Sequence, residues 1–211
     1  MRRADALRWT APAAAALLAL AACGGSDDEI VILPTAASFS VTAPTADPVV
    51  FFQKNPADTS DADTMVMVDV MLSSAAAVTF SSFTLEVTFD PGVVQVGQID
   101  ASATPVGGCG SPAACAPICA DNISPSSADP ANTTGDLLIG VANPLCPPAN
   151  VTGTVKLLTI AFIGSSVGPS PLTLVDDGGS AVQGDCEILD AAGSRLPIPC
   201  DSGGAMITVA R

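Results

Sequence analysis

Histidine and tyrosine are absent from the 211 residues, and the single tryptophan is Trp9. Histidine is the usual general base and a common zinc ligand, so Ser-His-Asp catalysis and the ordinary zinc centres are excluded. Two carboxylates alone suffice for glycoside hydrolysis, yet no such pair stands out, and no catalytic residue is assigned. The chain reads as a non-enzyme. Positive charge is scarce: seven Lys and Arg stand against 21 Asp and Glu, a formal charge of −14. Such a chain repels phosphate backbones and anionic head groups, which rules out nucleic acid as a direct partner. The amphipathic Trp and Tyr rings on which sugars stack are missing after residue 9. The seven phenylalanines (Phe39, Phe51, Phe52, Phe80, Phe83, Phe89 and Phe162) fall mostly in β patterns and are assigned to the core.

What is present begins at the N-terminus. Arg2, Arg3 and Arg8 open the chain, and residues 13–22 follow without a charge. A run this short cannot span a bilayer, which takes roughly 20 residues; it reads as the apolar centre of an export signal. Leu20-Ala21-Ala22-Cys23 resembles the bacterial lipobox. That resemblance implies removal of residues 1–22, acylation of Cys23 and a lipid-anchored protein of the bacterial envelope. Asp27 and Asp28 lie beyond the position that signals inner-membrane retention, so the outer membrane is favoured. Gly24-Gly25-Ser26 opens a segment, 23–46, rich in Ser, Thr, Pro and Ala, and that composition predicts a flexible tether. The remaining chain would keep four basic against 20 acidic residues, a net charge of −16. At this size it holds one domain.

Six cysteines follow Cys23: Cys109, Cys115, Cys119, Cys146, Cys186 and Cys200. An even set in an exported chain reads as three disulfides. The spacing from Cys115 to Cys119, with no histidine anywhere, makes a poor zinc pattern. Cys186 and Cys200 flank one short connection and are the expected pair; the other pairings stay open.

From about residue 47 the pattern is β. Val49, Val50, Phe51 and Phe52 form a short apolar strand. Over 65–72, Val66, Val68, Val70 and Leu72 share one face, opposite Met65, Met67, Asp69 and Met71. Over 83–90, Phe83, Leu85, Val87 and Phe89 alternate with Thr84, Glu86, Thr88 and Asp90, the period of a half-buried strand. Asp90-Pro91-Gly92 makes a turn into a strand at 93–99. Residues 101–135 break the rhythm, with Pro, Gly, Ser, Ala and Asn and three cysteines; the disulfides are expected to staple this excursion. Strands resume at 137–142, 154–163, 172–175 and 205–210. The count, about eight or nine, predicts an all-β jelly-roll sandwich.

Taken together, residues 47–210 resemble a cohesin domain. The likeness rests on the strand at 64–70, the strand 83–90 running into Asp90-Pro91, the central strand 136–142, the strand 155–162 ending in Phe162, and the closing strand 206–209. Cohesins are jelly-roll sandwiches, related to carbohydrate-binding modules, that anchor dockerin-bearing proteins. The resemblance implies a secreted protein partner, and its alternative is a carbohydrate-binding lipoprotein acting in polysaccharide attachment or breakdown. The family's contact positions carry no short motif, so the ligand-binding residues stay unassigned.

Three further features bear on function. The outward row Thr84, Glu86 and Thr88 reads either as a binding face or as ordinary exposed strand. Asp58, Asp61 and Asp63, and separately Asp176, Asp177 and Asp185, are the calcium candidates, because close carboxylates suit a hard cation. Neither group has the spacing of a calcium loop, so no cofactor is expected. Asn122, Asn132 and Asn150 each begin a glycan-acceptor triplet, read as chance matches in a Thr-rich chain.

Overall fold

The computed structural model describes residues 34–58, 63–106, 130–142, 147–176 and 185–211. Cys23, Asp61, Cys109, Cys115, Cys119, Asn122, Cys146 and Asp177 lie outside them. The described residues form twelve strands and one short helix. In chain order these are β1 (Ala36–Ser40), β2 (Val49–Lys54), β3 (Met65–Phe80), β4 (Ser82–Thr88), β5 (Val94–Asp100), α1 (Pro130–Thr134), β6 (Asp136–Ala142), β7 (Ala149–Gly164), β8 (Gly168–Pro171), β9 (Thr173–Leu174), β10 (Glu187–Leu189), β11 (Cys200–Asp201) and β12 (Met206–Ala210).

They make three sheets: β11-β2-β3-β7-β5, β10-β4-β6 with β9 also on β4, and β1-β12-β8. All pairs are antiparallel except β11 with β2. The period of two works as expected on both main sheets. Val66, Val68, Val70 and Leu72 of β3 are at most 1% exposed, as are Phe83, Leu85 and Val87 of β4. They share one core cluster with Leu157, Leu158, Ile160 and Phe162 of β7. Phe89 meets Phe162 edge to face, ring centroids 5.5 Å apart, the arrangement that ring quadrupoles favour.

Two expectations are corrected. Residues 36–40 are not tether: β1 runs beside β12 from Ala36 opposite Ala210 to Ser40 opposite Met206, burying Ala37 and Phe39. The strand expected over 65–72 extends to Phe80 as β3. It follows β7 through register shifts at Val70/Met71 and Ser74/Val78. Such shifts let a long strand keep pairing while its twist changes.

The turn after β4 forms as read. Asp90 takes the Gly92 N–H on its side chain at 2.8 Å and the Val93 N–H on its carbonyl at 3.0 Å. This carries the chain from one sheet to the other. Before β6, α1 docks through Asn132, whose side chain accepts the Val96 N–H (2.6 Å) and donates to the Val96 carbonyl (3.1 Å). With its amide used on both sides and buried, Asn132 is no glycan acceptor. Gly135 follows at φ +76° and gives its carbonyl to the Phe89 N–H at 2.8 Å, seating β6 against β4. Among the described residues no helix is long and apolar enough to cross a membrane.

A candidate binding face

The outer surface of the β10-β4-β6 sheet is built by alternation. Leu137 and Ile139 of β6 turn into the core, which sends Asp136, Leu138, Gly140 and Ala142 outward. The register sets Thr88 opposite Asp136, Glu86 opposite Leu138 and Thr84 opposite Gly140. On the other flank of β4, Thr84 pairs with Glu187 and Thr88 with Thr173. The row Thr84, Glu86, Thr88 singled out in the sequence therefore lies mid-sheet, half-buried. Leu138 is 57% exposed, the largest exposure among the large apolar side chains of the described residues. Lone exposed leucines are ordinary. Here the position matters: Leu138 stands beside Gly140, above which a Cβ would meet nothing within 4 Å. An apolar knob next to a bare stretch of backbone, rimmed by Thr and carboxylates, can receive a protein surface. Sequence reading placed a strand at 137–142 without assigning its faces, and so missed Leu138.

One end of this face is tied by charge and sulfur. Cys186 and Cys200 are joined, their Cα atoms 6.3 Å apart. Arg195 reaches Asp176 at 2.5 Å and lies 3.6 Å from both Asp185 and Glu187. The hydrogen bond to Asp176 raises the guanidinium above its ordinary pKa, burial opposes this, and the three carboxylates add to the rise. Asp176 and Asp185, read as a calcium group, thus already face a cation supplied by the chain. Asp58 of the other acidic group accepts the Met67 N–H at 3.4 Å, and Asp63 gives its carbonyl to Ala37. Among the described residues no three His, Cys, Asp or Glu side chains gather in a metal-holding group.

The opposite sheet carries a polar cluster on its outer side. Alternation puts Asp69 on the solvent face of β3, yet it is 3% exposed. It accepts hydrogen bonds on Oδ1 from Asn55 Nδ2 (2.8 Å) and Thr159 Oγ1 (2.6 Å), with Lys156 Nζ at 3.6 Å. Burying a carboxylate demands such partners. A pocket of about 140 Å³ opens there, lined by Asn55, Met67, Gln98, Asp100, Lys156 and Thr159 among others. Hydrogen bonding from Ser102 holds the Asp100 carboxyl below the usual range, with burial opposing and Lys156 assisting. An apolar hollow of about 240 Å³ lies elsewhere, between Pro48, Val78 and Ile198.

No family model matches this sequence, and no curated protein does. Solved structures do. The class is a jelly-roll β-sandwich, and the particular form is that of cohesins. The second type II cohesin module from the cellulosomal adaptor ScaA scaffoldin of Acetivibrio cellulolyticus is 11% identical, with a TM-score of 0.51 over 77% of this chain and 97% of that one. A structure of the same module with a long C-terminal linker gives 11%, 0.50, 77% and 91%. At that identity the likeness is one of fold: this chain has the cohesin fold.

Proposed function

We propose that this chain is a non-catalytic binding module of cohesin type, held at the bacterial envelope by lipid on Cys23, that receives a secreted protein partner on the outer face of β4 and β6. Exposed Leu138 beside the open backbone of Gly140 is the observation that carries the docking face. The cohesin fold and the resemblance in the strands support a dockerin-like partner. The lipobox-like Leu20-Ala21-Ala22-Cys23 supports the anchor. Sugar binding lacks its usual platform, because six of the seven phenylalanines are buried and Phe51 is half-buried.

The test is titration calorimetry of the domain against dockerin-bearing proteins of the producing cell's secretome, beside a glycan array. Wild type is expected to bind one such protein and Leu138→Asp to lose most of that affinity, at least tenfold. Equal binding by both would move the site elsewhere. A reproducible glycan ligand with no protein partner would replace the reading with the carbohydrate one.

A further inference from the structure

The polar cluster on the outer side of the five-stranded sheet surrounds the pocket of about 140 Å³. Asn55, beside Met67, and Lys156, opposite Met71, stand on opposite flanks of Asp69, and Thr159 faces it from β7. Asp100 of β5 pairs with Thr159, and Gln98 with Ala161. Asp69 is buried at a position that alternation gives to solvent, and burying a carboxylate costs free energy. A sequence departs from its local pattern in this way at functional or strained sites. Here the bonds to Asp69 from Asn55 (2.8 Å) and Thr159 (2.6 Å) fix two walls of the pocket. The remaining walls are charged or polar. Lys156 Nζ lies 3.6 Å from Asp69 Oδ1, beyond hydrogen-bond length, so this pairing spends none of its N–H donors. Hydrogen bonding from Ser102 keeps the Asp100 carboxyl charged against the pull of burial, with Lys156 assisting. The Gln98 amide makes no hydrogen bond among the described residues and offers both a donor and an acceptor. Met67 and Ala161 supply an apolar patch.

We propose that this pocket binds a small α-amino acid as its zwitterion, with the ligand carboxylate on Lys156 and the ligand ammonium on Asp100. Charge selects the class. A simple anion would meet the carboxylates of Asp69 and Asp100, and a simple cation would meet the Lys156 ammonium. A molecule that carries both charges side by side matches both walls. Size selects within the class. A cavity of about 150 Å³ takes up benzene, so this one admits a molecule of about six non-hydrogen atoms. Glycine, alanine and serine are of that size, and a pyranose ring with its hydroxyls exceeds it. Asn55 and Thr159, held by Asp69, are positioning residues: they order the walls before the ligand arrives, which lowers the cost of binding. The pocket lies on the sheet that does not carry Leu138, so it stands or falls independently of the docking face proposed above.

Calorimetric titration of the purified full chain with glycine, L-alanine, D-alanine and L-serine tests this, beside acetate, methylammonium and glucose. At least one of the amino acids is expected to bind with a Kd of about 1 mM or tighter. Acetate and methylammonium, each carrying one of the two charges, should bind at least about tenfold more weakly. Asp100→Asn and Lys156→Met should each weaken the amino acid at least about tenfold. Thr154→Ala, on the same sheet but outside the pocket, should leave it unchanged. No binding of any of the four amino acids up to about 10 mM overturns the proposal, and so does equal binding by acetate or methylammonium. Both results come from the wild type and need no variant to fold. Amino-acid binding that Asp100→Asn leaves intact also overturns it, by placing the ligand elsewhere. Glucose binding tighter than every amino acid would replace it with a sugar site.

Discussion

Replacing Gly135 by alanine probes how the candidate face is held in place. Gly135 sits at φ +76°, a conformation that costs an L residue about 1 kcal/mol or more. An added Cβ would also collide with the Phe89 carbonyl oxygen and come within 2.6 Å of Pro91 Cδ. Relieving such overlap moves backbone and costs a further ~1–3 kcal/mol. The sum is a loss of roughly 2–4 kcal/mol, which lowers the melting temperature of a domain this size by roughly 5–15 °C. Because the only tryptophan is Trp9, unfolding in urea is best followed by far-UV circular dichroism, with calorimetry alongside. Gly140→Ala, five positions on, is the control: its Cβ enters open space, so stability changes by less than about 0.5 kcal/mol. A Gly135→Ala protein as stable as wild type, or a Gly140→Ala protein equally damaged, would refute the account of how β6 is seated.

Two other perturbations bear on the end of the same face. Cys186→Ala with Cys200→Ala opens a loop with a sequence separation of 14. Chain-entropy reasoning gives a loss of about 3 kcal/mol, read as a lower urea midpoint; no shift would mean that the pair is reduced in the native protein. Arg195→Met leaves Asp176, Asp185 and Glu187 facing one another without the guanidinium. Since Asp185 is 4% exposed, the variant should be destabilised by ~1–3 kcal/mol at neutral pH, discounted for the partly exposed partners. Raising the salt concentration should narrow the gap by screening the carboxylates from one another, and a gap unchanged by salt would show that charge is not the cause.

Much of the β architecture follows from the sequence alone, because alternation is a local property. Each residue's face depends only on its parity along the strand. Phe83, Leu85 and Val87 point inward for that reason, and so do Val66, Val68 and Val70. Asp90-Pro91-Gly92 likewise encodes its own turn through a side chain that bonds two residues on. Tertiary structure decided the rest, where the determining partner lies far along the chain. Ala36–Ser40 has the composition of a linker and becomes a strand only because β12 offers it an edge. The two-residue strands Thr173–Leu174 and Cys200–Asp201 are too short to show a period. Parity gave Asp69 to the solvent face; Asn55, Thr159 and Lys156, from two other strands, turned that position into a buried polar centre. Leu138 is the mirror case, an apolar residue that only the pairing of β6 with β4 sends outward. Composition and periodicity thus determine which way a side chain faces, while strand pairing determines what stands in front of it, and a binding face or a buried polar cluster is made of the second.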